Sequence, residues 1–92
     1  MIIWIMGEGQ YQASEDLFNE LNKIDNHIVN LVEEGKAEEY RKELARLISE
    51  IKGKAEPIDP KDIVESDIIV PPGDLSFEEA KAVFKGEGIF ED

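Results

Sequence analysis

Two stretches of this chain repeat apolar residues at a period that only a helix satisfies, and almost nothing separates them. Leu17, Leu21, Ile24, Ile28 and Leu31 recur at spacings of four, three, four and three, and Phe18, Val29 and Val32 widen the stripe. Ala37, Tyr40, Leu44, Leu47 and Ile51 then recur at three, four, three and four, with Ile48 beside them. Such spacings bring side chains onto one face of a helix. Ser14 is placed to cap the first helix, with Glu15 and Asp16 complementing its dipole. Gly35 can take the left-handed conformation that ends it. The pattern predicts helices near residues 15–34 and from Ala37 to Gly53. So short a connection makes them antiparallel neighbours. Neither stripe is long enough to require a free-standing coiled coil, so packing within the chain is the default.

The amino terminus makes the protein mixed rather than all-helical. Residues 1–6 are an apolar run with three isoleucines that breaks into Gly7-Glu8-Gly9. A short β-branched run ahead of a glycine turn reads as a buried strand. Its candidate partners are residues 10–12, folding back as a hairpin, and Ile68-Ile69-Val70, which stops at Pro71-Pro72-Gly73. Because the first run is apolar on both faces, the sheet is expected to be covered on both sides or the strand to be central. Residues 54–57 read as a connector, and Asp59-Pro60 as a cap and first residue of a short helix. Ser76 and Glu79 have the spacing of a capping box, which predicts a third helix near 77–85 ending at Gly86. The expected fold class is α+β in a single domain over residues 1–92. A small sheet of two or three short strands packs against an antiparallel helical hairpin, with a short C-terminal helix added.

Charge narrows the partners. With 22 acids against 10 bases the chain carries a formal charge of −12. Nucleic-acid binding needs Lys and Arg to displace counterions, so the charge argues against that class, and equally against direct docking on an anionic membrane. No run has membrane-spanning length or the features of a secretory signal, which predicts a cytoplasmic protein without direct membrane insertion. The acids are uneven. The second helix is close to neutral, and its Arg41, Lys42 and Arg46 offer one surface for an acidic partner.

Catalytic chemistry finds little to use. There is no cysteine and a single histidine, His27, off the main apolar stripe. Ser14 and Ser76 are accounted for as caps, while Ser49 and Ser66 belong to no motif. Gly7-Glu8-Gly9 lacks the third glycine of a dinucleotide fingerprint, since Gln12 stands there. Asp59, Asp62, Glu65 and Asp67 cluster, but Lys61 and the missing central glycine spoil a calcium loop. No enzyme activity, cofactor or metal is expected. The aromatics Trp4, Tyr11, Phe77, Phe84 and Phe90 are mostly core, and an exposed Trp4 or Tyr11 would be an interface anchor.

Several segments together resemble a known family. They are residues 1–3 leading to Gly7-Glu8-Gly9-Gln10-Tyr11, then Leu21-Asn22-Lys23-Ile24-Asp25-Asn26, then Ser66-Asp67-Ile68-Ile69-Val70-Pro71-Pro72, then Ser76-Phe77-Glu78-Glu79, closing on Gly86-Glu87-Gly88-Ile89. In order and separation they resemble the PspA-associated domain family, PspAA, over essentially the whole chain. The resemblance implies a small accessory protein of a PspA-type membrane-stress system. Its implied partner is PspA, a helical coiled-coil membrane-remodelling protein, met through protein–protein contact at the inner face of the membrane. The expected contact surface is Trp4, Gly7, Glu8, Gly9 and Tyr11 with the adjoining Ile68, Val70, Pro71 and Pro72. Arg41, Lys42 and Arg46 are the second candidate. Two other readings stay open at this point: a small ligand-sensing regulatory module, and an architectural homodimer.

Overall fold

Helix ends form where the side chains can satisfy the backbone. At the start of α1 (Glu15–Glu33), Ser14 Oγ accepts a hydrogen bond from the Leu17 N–H at 3.2 Å. At its end Gly35 adopts φ 76°. The Gly35 N–H donates to the Val32 carbonyl at 3.2 Å and the Lys36 N–H to that of Leu31 at 2.9 Å. This pair of bonds closes the last turn and reverses the chain into α2 (Ala37–Lys54). Gly53 does not stop α2 as the sequence leads one to expect. Its φ is not positive, and Lys54 extends the helix by one residue while bonding Glu50 a turn back and Glu20 on α1, at 2.9 and 3.1 Å.

The computed structural model describes residues 1–62 and 64–90. Its sheet has four strands: β1 (Ile2–Ile5), β2 (Gly9–Gln12), β3 (Glu56–Pro57) and β4 (Ile68–Val70). Their order is β3-β2-β1-β4, so β1 is central, with β2 antiparallel on one side and β4 parallel on the other. Both expected partners of the first strand are therefore real, one on each side. The β1–β2 hairpin turns at Gly7 (φ 86°), where the Glu8 N–H donates to the Ile5 carbonyl at 2.9 Å. β3 lies in what reads from sequence as a connector. The expected short helix after Asp59 is instead a turn over the described residues 60–62. Asp59 Oδ1 accepts from the Lys61 N–H at 2.9 Å, and the expectation beyond it at residue 63 lies outside the described residues.

Strand alternation then decides what is buried. Ile3, Ile5, Ile68 and Val70 point to the helices and are buried with Leu21, Ile28, Leu44, Leu47 and Ile51. Each fully buried side chain of this size contributes about 1.5–3 kcal/mol. The helical hairpin covers this face alone. The sheet is thus covered by helices on one side, not two.

The carboxy-terminal elements lock onto the hairpin through two polar anchors. α3 (Phe77–Val83) begins with the expected capping box, Ser76 Oγ accepting from the Glu79 N–H at 3.1 Å. It ends at Val83, short of residue 85, with Phe84 as its cap. Tyr40, fully buried, donates its hydroxyl to the Leu75 carbonyl at 2.8 Å and meets the Phe77 and Phe84 rings edge-on. Burial pushes the Tyr40 pKa upward. The second anchor is Asp25, also fully buried, whose two carboxylate oxygens accept from the Ile89 N–H at 3.2 Å and the Phe90 N–H at 2.9 Å. That clamp holds Phe90 in the core against Phe18, ring centroids 5.8 Å apart.

Candidate functional site

The face of the sheet turned away from the helices carries what the core does not explain. Register sets Trp4 opposite Gln10 of β2 on one side and Ile69 of β4 on the other. Trp4 is 38% exposed and Ile69 51%, so two large apolar side chains stand side by side in solvent, and Met6, in the turn after β1, is 42% exposed. A patch of this kind on a small protein marks a contact surface more often than chance exposure does.

One side of this face is walled. The Gln10 side-chain amide donates to the Val64 carbonyl at 2.6 Å and to Ser66 Oγ at 2.7 Å, and its oxygen accepts from the Val64 N–H at 3.3 Å. The start of β4 is tied to β1 in the same manner. The Ile2 N–H donates to Asp67 Oδ2, and the Asp67 N–H to the Ile2 carbonyl, both at 2.8 Å. Between Trp4 and this wall runs a groove of about 600 Å³, lined by Trp4, Glu8, Gly9, Gln10, Tyr11, Pro57, Ile58, Pro60 and Ser66. Its lining is mostly apolar with a few fixed polar groups, the composition of binding clefts in general.

The residues expected from sequence divide. Trp4, Glu8, Gly9 and Tyr11 share the groove. Gly7 shapes the turn beside it, and Glu8 also bonds Lys52 on α2, which raises the lysine's pKa. Ile68, Val70 and Pro71 are buried, and Pro72 is half-buried outside the groove. The contact surface of that segment is therefore Ile69. A three-residue apolar run has no polar alternation to reveal which residue points outward. Gln10 lies inside the expected turn from Gly7 to Tyr11, while Pro57, Ile58, Pro60 and Ser66 were missed. Ser66 stood in a segment that carries the family resemblance, and Gln10 shares the outward parity of Trp4 across the hairpin.

Arg41, Lys42 and Arg46 do not join this surface. They are exposed on α2, on the helical side of the sheet, where Arg41 pairs with Glu38 at 3.7 Å and Arg46 with Glu43 at 3.5 Å. His27 Nδ1 lies 2.9 Å from the same Glu43 carboxylate. A polar cleft of about 420 Å³ between the helices is lined by His27, Glu43 and Arg46 with Glu20, Lys23, Glu50 and Lys54, and Arg41 and Lys42 lie outside it. Its charges are matched among themselves. Among the described residues no three His, Cys, Asp or Glu side chains are grouped to hold a metal ion, and no helix is long and apolar enough to cross a membrane.

With this geometry in place, comparison with protein families is decisive. The model of the family PspAA, described as PspA-Associated protein, matches residues 1–92. The chain belongs to the PspAA family. Comparison with curated proteins and with solved structures gave no match. In this PspAA chain three contacts join the segments that carry the resemblance, or residues next to them, and a fourth lies within one. Gln10 meets Ser66, Ile2 meets Asp67, Asp25 meets Ile89 and Phe90, and Ser76 meets Glu79. Those residues hold the fold together and pin the groove wall.

Proposed function

We propose that this PspAA protein is a non-enzymatic accessory of PspA in the membrane-stress response, acting by protein–protein contact. It works in the cytoplasm and reaches the inner face of the membrane through its partner. Family membership supports a PspA-related role. The observation that carries the contact reading is the registered row of Trp4 and Ile69, with Met6 nearby, on the sheet face the helices leave open. Tryptophan is among the residues enriched at binding hot spots, where truncation costs about 2 kcal/mol of binding or more. The hydrogen bonds from Gln10 to Val64 and Ser66 hold the wall in place before any partner arrives, which lowers the ordering cost of association.

The test is co-purification. The tagged protein should bring down PspA from cells under native conditions, and the Ile69→Asp variant should not. If neither native isolation nor crosslinking recovers PspA with the wild type, the partner claim is wrong.

A further inference from the structure

We infer that the outer-face groove is built for a cationic amphipathic helix, one that lies across the sheet face with its apolar stripe on Trp4 and its Lys or Arg residues over the groove rim. The inference rests on the contact reading above and adds the chemistry of the occupant.

Charge points to the sign. Two described stretches supply lining residues of the groove, 56–62 with Pro57, Ile58 and Pro60, and 64–67 with Ser66, and they hold Glu56, Asp59, Asp62, Glu65 and Asp67 against the single base Lys61. All five carboxylates belong to exposed residues. The lysines and arginines of the helices that form ion pairs do so with other acids, and among the described residues none of these five is paired with a base. Glu56, Asp59, Glu65 and Asp67 each adjoin a lining residue in sequence, and an apolar groove with unneutralised carboxylates beside it favours a cationic partner and steers its approach. A second copy of the chain is the wrong occupant. It also carries −12, and a two-fold interface on this face would bring each acidic rim against its own kind.

Shape points to a helix on the face, not a strand at the edge. Both sheet edges are blunted by proline. β3 contains Pro57, which lacks an N–H, and β4 runs directly into Pro71 and Pro72. Strand addition needs a longer run of donors and acceptors than the two and three residues these edges offer. The open face instead offers four-residue strands, roughly 13 Å long. Two turns of helix span roughly 11 Å. An occupant with apolar anchors at i, i+3 or i+4, and i+7 would cover this face as α1 and α2 cover the other.

Trp4 is the only tryptophan in the chain, so the site carries its own reporter. The experiment titrates the full-length protein with two synthetic helical peptides sharing one apolar stripe, the polar face being Lys/Arg in one and Glu in the other. The cationic peptide should shift Trp4 emission to the blue and saturate. Its affinity should fall at least about tenfold between low salt and 0.5 M salt, as screening weakens the rim contacts. Fluorescently labelled peptide anisotropy should then show several-fold weaker binding to the exposed-site variant Asp59→Asn/Glu65→Gln, and loss of binding to Ile69→Asp. Equal binding of both peptides, binding of neither, a salt-independent affinity, or a Trp4 shift produced by self-association or by anionic lipid vesicles instead would each overturn the inference. If PspA co-purifies but the cationic peptide does not bind, the partner stands and the occupant's chemistry falls. If the peptide binds and PspA does not co-purify, the groove stands and the partner falls.

Discussion

Asp25→Ala should loosen the carboxy-terminal tail and cost the protein a large share of its stability. The Asp25 carboxylate is fully buried and accepts from two backbone N–H groups, those of Ile89 and Phe90. A buried donor that loses its acceptor costs about 1–3 kcal/mol. If the donors escape that penalty by peeling into water, Phe90 leaves the core with them, at about 1.5–3 kcal/mol for its apolar surface. Two such donors give about 2–6 kcal/mol and the tail about 1.5–3, so a loss of about 3 kcal/mol is within reach of both routes. The whole stability of a 92-residue chain is about 5–14 kcal/mol. Urea unfolding followed by circular dichroism measures the loss, and a fall in Tm of roughly 12–24 °C should accompany it. Hydrogen exchange locates it: the amides of Ile89 and Phe90 should lose protection while those in α1 and α2 above the clamp keep theirs. The glycines supply an internal control. Gly88 has φ 76°, and a β-carbon there would run into the Asp25 carboxylate, so Gly88→Ala should reproduce the tail phenotype. Gly86 also has positive φ (60°) but faces open space, so Gly86→Ala should cost only the backbone term of about 1–2 kcal/mol. A change below about 0.5 kcal/mol for Asp25→Ala, or tail amides that stay protected, would refute the clamp.

Three further outcomes follow from particular contacts. Tyr40 has a raised folded-state pKa, so its contribution is intact below pH 10, its ordinary value, and is lost as pH rises from there through the folded value. Alkaline titration of stability should therefore show a decline above pH 10 that is shallower in Tyr40→Phe, a variant also about 1 kcal/mol less stable at neutral pH for want of the bond to Leu75. Ser76→Ala should lower stability by about 1 kcal/mol through the loss of the α3 cap, read as a shift in urea midpoint without a change in slope. Gln10→Ala should leave the helices intact but free the groove wall, visible as faster exchange at the Val64 amide and weaker binding at the outer face.

The helices were legible because their rules are local. Ser14, Gly35 and the pair Ser76–Glu79 act within four residues of themselves, and the stripes of Leu and Ile name the buried face directly. The sheet was only partly legible. The run at residues 1–6 is apolar at every position, so it could not say that Trp4 and Met6 face solvent while Ile3 and Ile5 face helices. The same loss of alternation hid Ile69 between two buried neighbours. β3 is two residues long and polar or proline, beneath any periodicity, and exists because Tyr11 and Gln12 offer it an edge. Asp25 was invisible for a different reason. An aspartate in a helix reads as solvated, and only tertiary packing brings the Ile89 and Phe90 amides 64 and 65 residues away to its oxygens. The sequence traces of that clamp were the glycine pair at 86 and 88 and the two quoted segments that hold Asp25 and Ile89, and none of them says that the two meet.

The central claim is that the open sheet face, and not the basic side of α2, is the surface that meets PspA. Calorimetric titration of purified PspA into the wild type, Ile69→Asp and Arg41→Ala/Arg46→Ala tests it directly. We expect the wild type and the double arginine variant to bind alike, and Ile69→Asp to bind at least about tenfold more weakly, the equivalent of about 1.4 kcal/mol. Full affinity in Ile69→Asp, or loss of binding in the arginine variant alone, would contradict the account.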